Sequence, residues 1–281
     1  MFDGFTLTNI ETDEVSIRLR HGGSGPPLLL LHGFPQTHAM WSKIAPRLAE
    51  HYTVVCPDLR GYGGSGKPDS STNHETYSKR AMARDQIEVM KKLGFDRFYV
   101  AGHDRGGRCA YRLALDSPQC VSKLAVLDIL PTYYLYTHVT LDFVRAYFHW
   151  FNYLRAAPGP ENELKAQYEA RSAQASTDVQ KEYARAMSDP ATIHAMCEDY
   201  RAAASIDLRH DETDLRQRKK VTCPLLTLWG ERGPMGRLYD VLDVWREWGT
   251  QVSGKSLPAG HNLQEEIPDV VLAELTAFLR A

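Results

Sequence analysis

The stretch Tyr99-Val100-Ala101-Gly102-His103-Asp104-Arg105-Gly106-Gly107-Arg108 decides the fold. An apolar strand runs into a sharp turn and a helix leaves it, which lifts residue 104 above the end of a sheet. The spacing is G-x-Asp-x-G, the pattern of a nucleophile elbow. Glycine is needed at 102 and 106 because the turn is tight and neighbouring backbone comes close. Asp104 then stands at a helix N-terminus, where the dipole and the free N–H groups favour an anion. A simple capping aspartate is the commoner role for such a residue, so the motif has to be weighed with its companions.

Three companions lie on the flanking elements. His32-Gly33-Phe34-Pro35 follows the apolar run Pro27–Leu31. A loop there can aim the Phe34 backbone N–H at the same point as the N–H of Arg105, forming an oxyanion hole. Asp128 closes the apolar run Leu124–Ile129 and can orient a histidine and stabilise its charged form. Gly260-His261-Asn262 follows the last strand, where a general base belongs in this chain order. Glu231, after Trp229-Gly230, is the rival to Asp128. His103 is expected to pack within the elbow, and Trp41 beneath the His32–Pro35 loop.

Further out, apolar runs alternate with helical spacings. Strands are expected at Phe5–Ile10, Val15–Leu19, Pro27–Leu31, Tyr52–Cys56, Phe98–Ala101, Leu124–Ile129, Pro224–Leu228 and Val252–Leu257. Helices are expected at Tyr77–Leu93, Arg105–Leu115, Leu238–Trp248 and Val270–Leu279. Such alternation predicts an α/β fold with a mostly parallel central sheet flanked by helices. From 131 to 220 no strand-like run occurs. Helical spacings recur there through Leu141–Leu154, Glu161–Ala173, Thr177–Met187 and Ala191–Ala203. The expected organisation is a core of residues 1–130 and 221–281, with a helical cap of residues 131–220 inserted after the strand ending near Asp128.

Composition removes other classes. The chain has 281 residues, 43% of them hydrophobic, and a formal charge of −2 from 33 basic and 35 acidic side chains. That length suffices for one large core. The near-neutral balance argues against nucleic acid as a partner. It also leaves any acidic substrate to be caught by local cations, since the global field does not steer it. The longest apolar run is far shorter than the roughly 20 residues of a membrane span, so no membrane partner is expected. No signal peptide is read at Met1-Phe2-Asp3-Gly4. The five cysteines are odd in number and form no CxxC pair, so neither a disulfide framework nor a thiolate metal site is expected. A reducing cytoplasm is the simplest setting.

Taken together, these motifs resemble the α/β-hydrolase superfamily over essentially the whole chain, with aspartate at the elbow where esterases place serine. His32-Gly33-Phe34-Pro35-Gln36, the 102–108 elbow, Leu127-Asp128-Ile129, Phe148-His149-Trp150 and the Tyr200-Arg201 region resemble fluoroacetate dehalogenases. The resemblance implies hydrolytic dehalogenation of a small haloacetate, with water as co-substrate, no cofactor, no metal and a possible homodimer. Asp104 would displace halide to form an aspartyl ester, which water activated by His261 would hydrolyse, with Asp128 as the third member of the triad. Arg105 and Arg108, three apart on one helical turn, can both face the pocket and bind a substrate carboxylate. Alternatively they neutralise Asp104 or face solvent. Epoxide hydrolases and haloalkane dehalogenases usually carry tryptophan directly after the nucleophile, so Arg105 there points to an anionic substrate.

By the same resemblance, His149, Trp150 and a cap tyrosine would cradle the halide; core packing is the other reading of that aromatic cluster. Tyr200 is the chosen tyrosine, with Tyr147, Tyr153, Tyr168 and Tyr183 as rivals. The cap is somewhat shorter than expected for the family, and Asn262-Leu263 stands where it tends to have a bulky aromatic. Two alternatives stand beside this function. An epoxide hydrolase would use the same aspartyl ester, and a non-catalytic receptor on the same fold would use none of the chemistry.

Overall fold

A computed structural model describes all 281 residues. Eight strands form one sheet: β1 (Thr6–Glu11), β2 (Ser16–Gly22), β3 (Pro27–Leu31), β4 (Thr53–Pro57), β5 (Phe98–His103), β6 (Val121–Leu127), β7 (Leu225–Gly230) and β8 (Val252–Leu257). Their spatial order is β1-β2-β4-β3-β5-β6-β7-β8. β1 and β2 pair antiparallel, as do β2 and β4; every later pairing is parallel. Parallel strands need crossovers, and the crossover helices cover both faces. In β3, Leu29 and Leu31 enter one core while Leu28 and Leu30 enter the other, on opposite sides of the sheet. No helix is long and apolar enough to cross a membrane.

The central register puts the chemistry at one edge. Leu31 pairs with Gly102, Gly102 with Val126, and Leu127 with Leu228. Strands β3, β5 and β6 therefore end level with one another, and Phe34, Asp104 and Asp128 leave from neighbouring carboxyl ends. Asp128 lies just past β6 in the left-handed region (φ 50°), so the strand stops two residues short of the expected Ile129.

The elbow is held by contact with glycine backbone. The helix Asp104–Asp116 is buried along nearly its whole length, so it must press onto β3 and β5. A Cβ on Gly106 would lie 2.3 Å from the His32 carbonyl oxygen, and one on Gly102 would lie 2.5 Å from the Gly106 carbonyl oxygen. Asp104 itself has φ 47°, a conformation that a non-glycine residue holds only when its surroundings impose it.

Between β6 and β7 the chain is helical and sits over this edge. Its helices are Thr132–Thr137, Leu141–Ala146, Phe148–Asn152, Gly159–Ser172, Asp178–Met187, Pro190–Ala203 and Ile206–Arg216. The single helix expected over Leu141–Leu154 is broken at Tyr147, which has φ −123° and ψ 36°. No glycine or proline marks that break. Tertiary packing sets it, with the Tyr147 ring against Phe143 and Trp150. Likewise the helix expected at Leu238–Trp248 begins at Val241, after a separate short helix Pro234–Leu238. Replacing Gly106 with alanine should cost about 3 kcal/mol or more of stability by overpacking, measured as a shift in the urea midpoint. A change below about 1 kcal/mol would show that the elbow relaxes freely.

Candidate active site

Asp104 is 5% exposed, and its Oδ1 accepts a 2.9 Å hydrogen bond from the Phe34 N–H. Its Oδ2 lies 3.8 Å from His261 Nε2. Burial pushes the Asp104 carboxyl pKa up, but at the acid pH where it would titrate the charged His261 and His103, with Arg105 and Arg108, outweigh burial and hold the pKa well below the usual range. The group is a permanent anion at neutral pH. The other donor expected for an oxyanion hole, the Arg105 backbone N–H, makes no hydrogen bond to this carboxylate. An oxyanion hole is aimed at the developing charge of an intermediate rather than at the resting group.

On its other side, His261 Nδ1 meets Asp128 Oδ2 at 2.5 Å, and the Gly230 N–H donates to Asp128 Oδ1 at 2.9 Å. Asp128 is thereby fixed, and Glu231 is exposed and makes no hydrogen bond or salt bridge to His261. Burial disfavours a charged imidazole at 261, but the hydrogen bond and charge of Asp128, with Asp104 adding to them, raise its pKa above the usual 6.5. His103 packs against His261 with the rings tilted by 49° and their centroids 4.6 Å apart, and its Nε2 meets the His261 carbonyl oxygen at 2.9 Å. Burial drops His103 to about 4, so its imidazole is uncharged at neutral pH.

The two arginines behave differently. Arg105 is fully buried and spends its Nε on Asp199 Oδ2 (3.0 Å) and its Nη2 on the Asp199 carboxylate and carbonyl. Lys79 also binds Asp199, and the Tyr62 hydroxyl donates to it at 2.7 Å. The charges and hydrogen bonds of Arg105 and Lys79 hold Asp199 at about 2 despite its burial. Only Nη1 of Arg105 is left without an acceptor. Arg108 donates through Nη1 to the Leu130 carbonyl and to Thr132 Oγ1, both at 3.0 Å, and its buried Nε has no partner. No carboxylate forms a salt bridge with Arg108. At 1% exposure it does not face solvent, and its charge is one of those that hold the Asp104 pKa down.

Above Asp104 lies a cavity of about 270 Å³. Phe34, His149, Trp150, Tyr200 and His261 line it, with Tyr147, Tyr153 and Tyr168. Arg105 and Arg108 are not in its lining. They back its wall, with guanidinium carbons 4.4 Å from the Tyr200 ring and 4.7 Å from the Trp150 ring. Tyr200 is the central tyrosine, in contact with the rings of Phe34, His149, Trp150 and Tyr153. Tyr183 is elsewhere, with its hydroxyl on Glu265. Burial lowers His149 to about 4, so at neutral pH its imidazole is uncharged and offers one N–H.

Sequence reasoning missed Asp199, Lys79, Tyr62 and Tyr136. Tyr136 packs on Trp150 at 5.4 Å and keeps a buried hydroxyl without a partner. Asp199 is adjacent to Tyr200 but 94 residues from Arg105, and no local pattern announces such a pair. Asp199→Asn should cost about 3–5 kcal/mol, because it leaves two buried cations uncompensated. Thermal unfolding reads this directly, and an unchanged midpoint would contradict it.

Residues 26–268 match the alpha/beta hydrolase fold family. The chain is 45% identical to a fluoroacetate dehalogenase from Burkholderia sp., over 99% of this chain and 95% of that one. It is 33% identical to a soluble epoxide hydrolase from Corynebacterium sp. strain C12, covering 91% of each. Among solved structures, a provisionally assigned alpha/beta hydrolase from Nostoc sp. PCC 7120 superposes with a TM-score of 0.95 at 52% identity, covering 99% of both chains. With its parallel sheet, its elbow and this likeness along nearly its full length, the chain belongs to the alpha/beta hydrolase fold family.

Proposed function

We propose that this chain hydrolyses small 2-haloacids, converting fluoroacetate to glycolate and fluoride. The observation that carries this is Arg108, a guanidinium 1% exposed, beside the Asp104 cavity and paired with no carboxylate. Its charge acts on Asp104 across the site, but its hydrogen bonds reach only a carbonyl and a hydroxyl, and a carboxylate-bearing ligand supplies the charged acceptor that it lacks. Arg105 Nη1 and Arg108 Nε have no protein acceptor, which leaves two donors behind the cavity wall for it. The 45% identical relative named for fluoroacetate points the same way.

The chemistry follows from the positions. Asp104 Oδ2, which accepts no hydrogen bond, attacks the methylene carbon from behind the carbon–halogen bond. A carbon–oxygen bond forms as the halide leaves with the bonding pair. His149, Trp150 and Tyr200 donate to the departing ion and replace part of its hydration. The Asp104 side chain is now an ester whose carbonyl oxygen, Oδ1, faces the Phe34 N–H. His261 takes a proton from water, and the hydroxide adds to the Asp104 carbonyl carbon. The resulting oxyanion is held at Phe34. Collapse breaks the Cγ–Oδ2 bond, so Oδ2 departs as the hydroxyl oxygen of glycolate with the proton held by His261, and the water oxygen stays in the Asp104 carboxylate. Each step uses side chains of this chain and water.

The cap tyrosines favour a second reading. Tyr147, Tyr153 and Tyr200 line the cavity without bonding protein acceptors, and an epoxide hydrolase needs such hydroxyls to protonate the epoxide oxygen. The unpaired Arg108 argues against a neutral substrate. Fluoride-electrode assays with fluoroacetate should show release, and Asp104→Ala should abolish it. His261→Ala should accumulate protein heavier by one carboxymethyl group, with the adduct on Asp104. Epoxide turnover without halide release from fluoro-, chloro- or bromoacetate would overturn the assignment.

The pH dependence has a defined sign. Neutral His261 is needed for ester hydrolysis, so kcat falls as pH drops through its pKa. Asp104 loses its charge on forming the ester, which removes one of the contributions raising His261. The acid limb of kcat should therefore lie below the His261 pKa measured by NMR in the free protein. A limb above that value would contradict an ester intermediate.

A further inference from the structure

The cavity holding Asp104 adjoins a second one of about 450 Å³. Both are bounded by Phe34, Pro35, Tyr168, Arg171 and His261, so these residues frame the neck between them. Arg171 is the one lysine or arginine lining either cavity. It is exposed, makes no salt bridge, and is propped against Tyr168, with its guanidinium carbon 5.3 Å from that ring and Nη1 donating to the hydroxyl at 3.5 Å. The one acidic side chain in the outer cavity, Glu265, is tied down by donors from Tyr183 (3.0 Å) and Gln36 (2.7 Å).

An incoming carboxylate meets a difficulty here. The net charge of −2 provides no attractive global field, and the inner cavity presents the Asp104 anion. Arg105 and Arg108 are too deeply buried to meet the substrate first. We propose that Arg171 is the capture residue, which pairs with the substrate carboxylate at the neck and hands it inward to Arg105 and Arg108. This role rests on the anionic-substrate reading above. It makes Arg171 a determinant of association rate, with no part in bond breaking.

Stopped-flow tryptophan fluorescence tests it without requiring turnover, since Trp150 lines the cavity. Fluoroacetate is mixed with the Asp104→Asn protein, and with the same protein also carrying Arg171→Gln or Arg171→Lys. Arg171→Gln should slow association about tenfold at low ionic strength and flatten its salt dependence, and Arg171→Lys should restore most of both. In the otherwise native enzyme, Arg171→Gln should lower kcat/KM about tenfold and leave kcat within about twofold. Equal association rates with parallel salt slopes, or no association of fluoroacetate at all, would overturn the capture role. Association that depends on Arg171 in an enzyme releasing no halide would instead overturn the dehalogenase assignment and leave the capture role standing.

Discussion

Everything at this site depends on one constraint: a carboxylate is held ionised at a buried, strained turn. Asp104 sits at φ 47° because the helix that follows it presses glycine against β3 and β5, with no space for a single added carbon. Burial alone would protonate the group. Cations and histidines around it reverse that, and the Phe34 N–H fixes one oxygen while leaving the other free to react. Backbone geometry, electrostatics and reactivity are thus set by the same few contacts.

The second theme is charge compensation among buried groups. Asp199 neutralises Arg105 and holds Lys79, whereas Arg108 is left to a carbonyl and a hydroxyl. The asymmetry gives the two arginines different roles in the proposed reaction. Arg105 is a fixed donor whose orientation is set by a bidentate partner. Arg108 is the cation whose missing carboxylate partner a substrate would bring. The bulk charge of −2 conceals both.

Much of this was legible in the sequence, for physical reasons that differ by element. β3 and β8 fall where expected, at Pro27–Leu31 and Val252–Leu257. The elbow was legible because its glycine spacing reflects a steric demand. His261 and the rings of His149, Trp150 and Tyr200 lie around Asp104, with Asp128 bonded to His261. What stayed hidden is long-range or contrary to the apolar pattern. Helix Ile206–Arg216 buries Asp207, Asp211 and Asp214 against Lys79, Tyr111 and Arg112, so apolar periodicity does not reveal it. The break at Tyr147 carries no local signal, and the bond between Asp199 and Arg105 spans 94 residues. The placement of both arginines behind the cavity wall, instead of in its lining, follows from that bond and from stacking on Tyr200 and Trp150.

The central claim is that Asp104, and not water, attacks the substrate carbon. A single turnover with enzyme in excess, in water enriched in heavy oxygen, tests it most directly. If Asp104 is the nucleophile, the label enters the Asp104 carboxylate and the glycolate carries none. Labelled glycolate, with an unlabelled Asp104 peptide, would mean that water attacks directly and would contradict the account.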